Sequence, residues 1–180
     1  MHKLVVAVYG HPSTAEAIRP LARSHEVIAV ALDVGGALSL AALHDAALAA
    51  GAVRCHAFDV RDELVRDYLL PALRESSHAD PQALWARCAA ALASDTLRKI
   101  AAVEGARVVA PEPVAMAPRR RPVVAPARLE IAFEAGVPVA VNGVAMTLPE
   151  LMESLETITG EPAPCVLARA CQQSLTVGAA

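Results

Sequence analysis

Short apolar runs of strand length recur along the chain, each closed by a turn and followed by a stretch of helix length. Leu4 to Tyr9 is an unbroken apolar run, and Val27 to Leu32 repeats the pattern. Val53 to Phe58 and Val108-Val109 read as a third and a fourth strand. A strand with one wet face alternates apolar and polar residues, whereas a strand covered on both faces reads as continuous apolar sequence. Strands of that kind joined through helices predict an α/β fold: a parallel twisted sheet with helices on both faces and right-handed crossovers.

Turn and cap residues divide the chain further. Gly10-His11-Pro12 turns it after the first strand, and Ser13-Thr14-Ala15-Glu16 has capping-box spacing, so a helix is expected from Ser13. Pro20 should interrupt that helix. The second strand ends at Asp33-Val34-Gly35-Gly36, Ser39 can cap the next helix, and Gly51 closes it. Asp59 precedes a helix containing Leu64, Val65, Tyr68 and Leu69. Asp80-Pro81 has the form of an N-cap with proline at the first helical position, and Gly105 marks the end of a helix reaching Glu104.

Beyond the first 110 residues the character changes. Pro111, Pro113, Pro118, Pro122 and Pro126 mark residues 111–127 as a linker. Residues 128–160 read as a C-terminal β-hairpin and helix: Leu129 to Phe133 alternates, Glu134-Ala135-Gly136 turns, and Val137 to Val141 returns. Asn142-Gly143 makes another turn, and Thr147-Leu148-Pro149-Glu150 is a second capping box, opening a helix that Gly160 ends. Residues 161–180, with Pro162 and Pro164, have no clear period and read as a tail.

Composition excludes several function classes. The chain is 55% hydrophobic, yet no apolar run approaches the roughly 20 residues of a spanning helix. Met1-His2-Lys3 leads straight into the first strand and is too short for a signal peptide, so a cytoplasmic protein without membrane association is expected. A net charge of −3 argues against nucleic acid as a partner. Arg119-Arg120-Arg121, between two prolines, reads as a solvated loop. Cys55, Cys88, Cys165 and Cys171 have no CxxC spacing, and Cys55-His56 would point to opposite faces of a strand, so no metal site is expected.

In open parallel sheets ligands bind beyond the carboxyl ends of the strands. The loop Tyr9-Gly10-His11-Pro12-Ser13-Thr14 is the prime position. A phosphate cradle there needs glycines and free N–H groups. This loop has one glycine, Pro12 lacks an N–H, and Glu16 puts a carboxylate in the first helical turn. Gly10, His11, Ser13 and Thr14 remain as candidate ligand contacts, with Asp33, Val34 and Gly35 at the end of the second strand. The competing readings are a capped structural helix at the first loop and an ordinary strand-ending turn at the second.

Several stretches resemble the argininosuccinate synthase family. Val27 to Gly35 is similar to its second strand and Ala-Asp-Val-Gly turn, and Ala46 to Ala52 to its Ala-Leu-Ala-Leu-Gly-Ala helix end. Asp59-Val60-Arg61-Asp62-Glu63-Leu64-Val65-Arg66-Asp67-Tyr68, continuing to Pro71-Ala72-Leu73, is close to the family's Asp-Leu-Arg-Glu-Glu-Phe-Val-Glu-Asp-Tyr and Pro-Ala-Leu. Gly136 to Gly143 and Leu148 to Gly160 resemble its late hairpin and helix, so the likeness covers most of the chain up to Gly160. The resemblance implies a Rossmann-like, HUP-type nucleotide domain, ATP or AMP as cofactor, and a remnant of the synthetase and multimerisation domain. The family ligates citrulline to aspartate by adenylating the ureido oxygen with ATP.

Three of the family's features are altered here. Its pyrophosphatase loop, Ser-Gly-Gly-Leu-Asp-Thr-Ser, falls on Tyr9 to Ala15, where Gly10 and Thr14 are kept and Ser13 replaces the acid. Its citrulline- and aspartate-binding segment falls near Gln82 to Asp95, here an Ala-rich helix. Its Gly-Lys-Gly-Asn-Asp-Gln stretch is replaced by Pro111-Glu112-Pro113-Val114. A nucleotide-binding, regulatory or oligomerising module without ligase activity is therefore expected. The alternatives are an active ATP-dependent ligase with a rebuilt site, and a different enzyme using His11 or His44 as acid–base with Ser13 as donor. Apolar surface left on the hairpin and helix would favour a homo-oligomer or a complex with a full-length synthase.

Overall fold

The structure, a computed structural model, describes residues 2–10, 13–35, 39–75, 80–111, 129–161 and 163–177. Strands β1 (Lys3–Tyr9), β2 (Glu26–Asp33), β3 (Arg54–Asp59) and β4 (Arg107–Val108) form one parallel sheet in the order β3-β2-β1-β4. Lys3 to Tyr9 pairs in step with Glu26 to Leu32, and Ile28 to Asp33 with Arg54 to Asp59. β4 pairs only with Leu4 and Val5, on the other side of β1.

Side chains alternate across the sheet, and both sets are buried. Val5, Ala7 and Tyr9 of β1 join Ile28, Val30 and Leu32 of β2 in one core. Val6 and Val8 join Val27, Ala29 and Ala31 in a second core on the opposite face. That two-sided burial is the physical reason the two strands read as unbroken apolar runs. β3 is the outer strand, and Phe58 on it and Val53 just before it are exposed.

The second core is closed by α1 (Ser13–Glu16), α2 (Ile18–Leu21) and α3 (Leu40–Ala49). The break at Ala17 sits where Pro20 has no N–H to give to the carbonyl of Glu16. Ser39 caps α3 by accepting from the N–H of Ala42 at 3.2 Å. The first core is covered by α4 (Arg61–Glu63), a π-helical turn over Leu64–Leu69, α5 (Leu70–Glu75) and α6 (Pro81–Glu104). Sequence periodicity predicts an ordinary helix here. Pro71 explains the difference: it lacks the N–H for Asp67, and its ring crowds that carbonyl unless the turn widens. The α6 caps follow the sequence: the Asp80 carboxylate accepts from the N–H of Ala83 at 2.8 Å, and Gly105 ends the helix in the left-handed region.

A second, antiparallel sheet follows, with β5 (Ile131–Glu134), β6 (Val137–Val141) and β7 (Val144–Ala145). The expected hairpin is its first two strands, and the Asn142-Gly143 turn adds a third. α7 (Leu148–Thr159) begins at the Thr147–Glu150 capping box. α8 (Ala163–Val177) corrects the reading of residues 161–180 as a tail without period. Its second residue is Pro164, tolerated in a first helical turn, and Ala163, Val166, Leu167 and Ala168 on it are buried. Leu148, Leu151, Met152 and Leu155 of α7 and Val166 and Leu167 of α8 lie in the same core as β1, β2 and Trp85. Each large side chain so buried contributes about 1.5–3 kcal/mol. The apolar face of α7, from which association was expected, is covered within the chain. Most of the linker read at residues 111–127, with Arg119-Arg120-Arg121, lies outside the described residues.

Candidate functional site

Consecutive parallel strands step one way from β1 to β3 and the other way to β4, so the strand order reverses between β1 and β4. A cleft opens there in an open α/β sheet because the loops leave β1 and β4 in different directions. This chain has such a cleft, of about 260 Å³, lined by Val6, Ala7 and Tyr9 of β1, Ser13, Thr14 and Ala17, and Val109, Ala110 and Pro111 after β4. Its walls are mainly apolar, and among the described residues neither Lys nor Arg lines it.

The loop after β1 is drawn tight by its own hydrogen bonds. Gly10 has φ of 71°, a conformation that residues with a Cβ adopt at a cost. The N–H of Tyr9 donates to Thr14 Oγ1 at 3.2 Å, and the Thr14 hydroxyl lies 3.3 Å from the carbonyl of Tyr9. α1 is a single turn, too short to build much of a dipole at its N-terminus, and its Glu16 carboxylate is held by Arg19 at 2.7 Å. Burial pushes the Tyr9 phenol up to about 12, so it stays protonated at neutral pH. Among the described residues the arrangement offers apolar walls and hydroxyls, and no cation beside them.

The β2 side of the same sheet edge is filled. Asp33 Oδ1 accepts from the N–H of Gly35 at 2.9 Å, closing a turn, while Asp33 Oδ2 lies 3.8 Å from Arg61 Nε. Arg61 grips Asp59 with two bonds of 2.9 and 2.7 Å, and this holds the Asp59 carboxyl below its ordinary range and the guanidinium above its own. α7 seats on the turn: a Cβ at Gly35 would stand 3.3 Å from Glu156 Oε1 and 3.4 Å from Met152 Cε. The gap between Gly10 and Leu32 to Gly35 is too narrow for a water molecule.

Ser13 and Thr14 therefore line the open cleft, while Gly10, Asp33, Val34 and Gly35 line the closed gap beside it. His11 and Pro12 lie outside the described residues. His44 sits on α3 with its Nδ1 3.2 Å from Asp45 Oδ1, and it lines neither space. Cys55 packs toward the second core and His56 bonds Glu104 of α6 at 3.0 Å, on opposite faces as the strand period requires. Among the described residues no cluster of His, Cys, Asp or Glu is arranged to hold a metal ion, and no helix is long and apolar enough to cross a membrane. Burial pushes the thiols of Cys55, Cys88 and Cys165 up, away from the reactive thiolate. The lining residues that sequence reading misses are Val6, Ala7, Ala17, Val109, Ala110 and Pro111; the reversal of strand order that exposes the last three is not written in local sequence.

A parallel sheet with this switch-point cleft is what a nucleotide domain of the HUP type provides, and the sequence carries the matching pattern. The family described as arginosuccinate synthase N-terminal HUP domain matches residues 3–117. The chain belongs to the argininosuccinate synthase family. Among individual relatives, an argininosuccinate synthase from Streptococcus suis (strain 05ZYH33) is 41% identical over 76 residues, 42% of this chain and 19% of that protein. One from Streptococcus thermophilus (strain ATCC BAA-491 / LMD-9) is 42% identical over 76 residues, 42% of this chain and 19% of that protein. One from Streptococcus gordonii (strain Challis) is 43% identical over 72 residues, 40% of this chain and 18% of that protein. The match thus spans about a fifth of the length of these relatives.

Proposed function

We propose that this member of the argininosuccinate synthase family is a nucleotide-binding module that holds the adenosine end of an adenine nucleotide and does not carry out ligation. The observation that carries the reading is the cleft between β1 and β4, with apolar walls and, among the described residues, no cationic lining. Flat apolar groups gain most from such walls, and the hydroxyls of Ser13 and Thr14 can orient a purine or ribose. At about 260 Å³ the cleft is smaller than the roughly 300–1,000 Å³ of sites that enclose drug-sized ligands. It suits a nucleoside better than a triphosphate with two amino acids beside it.

Adenylyl transfer rests on donors and charges placed where the leaving phosphates develop charge. Here Ser13 stands in place of the family loop's acid, and Arg19 is engaged by Glu16 outside the cleft. Magnesium and ATP chemistry therefore has few fixed partners in this part of the chain.

Calorimetric titration of the full chain with AMP and with ATP, with and without magnesium, tests binding; an assay with citrulline, aspartate and Mg-ATP tests ligation. The reading predicts AMP dissociation constants of about 0.1–1 mM, equivalent to about 4–5.5 kcal/mol. Magnesium should not alter them, and no argininosuccinate should form. Magnesium-dependent ATP binding with product formation would overturn the reading in favour of a rebuilt ligase.

A further inference from the structure

We infer that the outer edge of β3 is a self-association surface, on which a second copy of this chain adds its own β3 antiparallel about a two-fold axis at Ala57. β3 closes one side of the parallel sheet, and among the described residues no strand pairs with its outer side. A six-residue strand in that position presents a row of backbone N–H and C=O groups, about 20 Å long, that another strand can satisfy. The row is open to a partner, because Arg54, Ala57, Phe58 and Asp59 are all exposed. The β1–β4 cleft lies on the other side of the sheet and takes no part.

Edge strands that stay single are blunted by lysine, proline, a bulge or a covering element. β3, Arg-Cys-His-Ala-Phe-Asp, has neither lysine nor proline, and it pairs with β2 in unbroken register. Its charged ends are drawn back onto their own chain. Arg54 and His56 both bond Glu104 Oε1, at 2.9 and 3.0 Å, and Arg61 holds Asp59 at 2.9 and 2.7 Å. Between those ends the rings of His56 and Phe58 stack at 6.4 Å with planes 14° apart, a flat aromatic surface on one face of the edge. Apolar side chains gather around it. Of six large apolar side chains exposed among the described residues, four lie here: Val53 and Phe58, Leu48 on α3, which packs on β3, and Val103 beside Glu104 on α6.

A second copy fits because the strand is complementary to itself. Side chains directly opposite in an antiparallel pair share a face, so a two-fold axis normal to the sheet passes between a residue and its own copy. With that residue Ala57, His56 stands opposite Phe58 of the second copy and Phe58 opposite its His56, which makes two cross-strand aromatic pairs. Ala57, the smallest side chain of the strand, meets itself at the axis. The Arg54 end of one strand runs beside the Asp59 end of the other, whereas a parallel pair would set like charges together. Such pairing uses both β3 edges and closes at two chains, merging two four-stranded sheets into one continuous sheet.

The test is sedimentation velocity of the full chain up to about 100 μM, a concentration that populates even a small interface. Ala57→Lys and Ala57→Glu are run alone and mixed in equal amounts, with circular dichroism to confirm folding. The native chain should be a dimer, and either variant, with like charges facing across the axis, should weaken dimerisation about tenfold or more. The mixture should restore it to within about threefold of native, because opposite charges then face each other. A native chain that stays monomeric overturns the inference, as does a native dimer that both folded variants leave intact, or a mixture that stays monomeric. Assembly beyond two chains overturns the closed pairing. Ala57→Cys gives a second measurement that does not depend on the charged variants folding. Opposed Cα atoms in an antiparallel pair stand about 4.5–5.5 Å apart, within disulfide reach, so mild oxidation should link this variant into a covalent dimer. A variant no more cross-linked than the native chain overturns the axis at Ala57.

Discussion

Arg61 organises the end of β2 and β3 through two carboxylates, and its consequences extend to acid stability. Its bidentate bonds hold the Asp59 carboxyl below the ordinary range. Glu104 is lowered likewise, by the hydrogen bond from His56 and by Arg54, and Glu150 by the hydroxyl and N–H of Thr147. A carboxyl with a depressed native pKa binds fewer protons in the folded than in the unfolded chain. Its stabilisation is present above the unfolded values of about 3.9 for Asp and 4.3 for Glu, and is lost as pH falls through the folded ones. Urea midpoints should therefore hold between pH 7 and about 5 and fall below about pH 4. Asp59→Asn should lower stability at pH 7 and flatten that acid slope; a slope identical to that of the native chain would show that the Asp59–Arg61 pair is not a source of it. Trp85 is a different kind of residue: it is fully buried, and among the described residues its indole Nε1 has no hydrogen-bond partner.

At the scale of elements, what was legible in the sequence depended on whether a side chain or a global contact set the boundary. Ser39, Asp80, Gly105 and the Thr147–Glu150 box each act through their own atoms, and each stands where local spacing puts it. The π-turn before Pro71, the third strand β7 and helix α8 depend on crowding or packing partners far along the chain, and periodicity alone does not encode them. α7 is the clearest case, because its caps were readable while its burial against the parallel sheet was not. Leu151→Ala should accordingly cost about 2–5 kcal/mol of global stability, as for a residue in a close-packed core. Chemical denaturation of the full chain measures it. A loss below about 1 kcal/mol would mean that α7 is a peripheral attachment.

For the whole molecule, the fold class follows from β1 and β2, whose unbroken apolar runs demand cover on both faces. The candidate site was only half legible. Ser13 and Thr14 are found by their place after the first strand, but the facing wall, Val109 to Pro111, is set by strand order. Asp33 to Gly35 reads in sequence as a possible contact, and in three dimensions Gly35 of that turn lies against Met152 and Glu156 of α7. The account proposed is a family nucleotide domain that takes its ligand in the β1–β4 cleft. It is tested most directly by titrating AMP into the native chain and into Ala110→Trp, a substitution at an exposed position on the rim that fills the cleft. The account predicts sub-millimolar to millimolar binding to the native chain and a loss of about tenfold or more in the variant. No binding to the native chain, or equal binding to both, would contradict it.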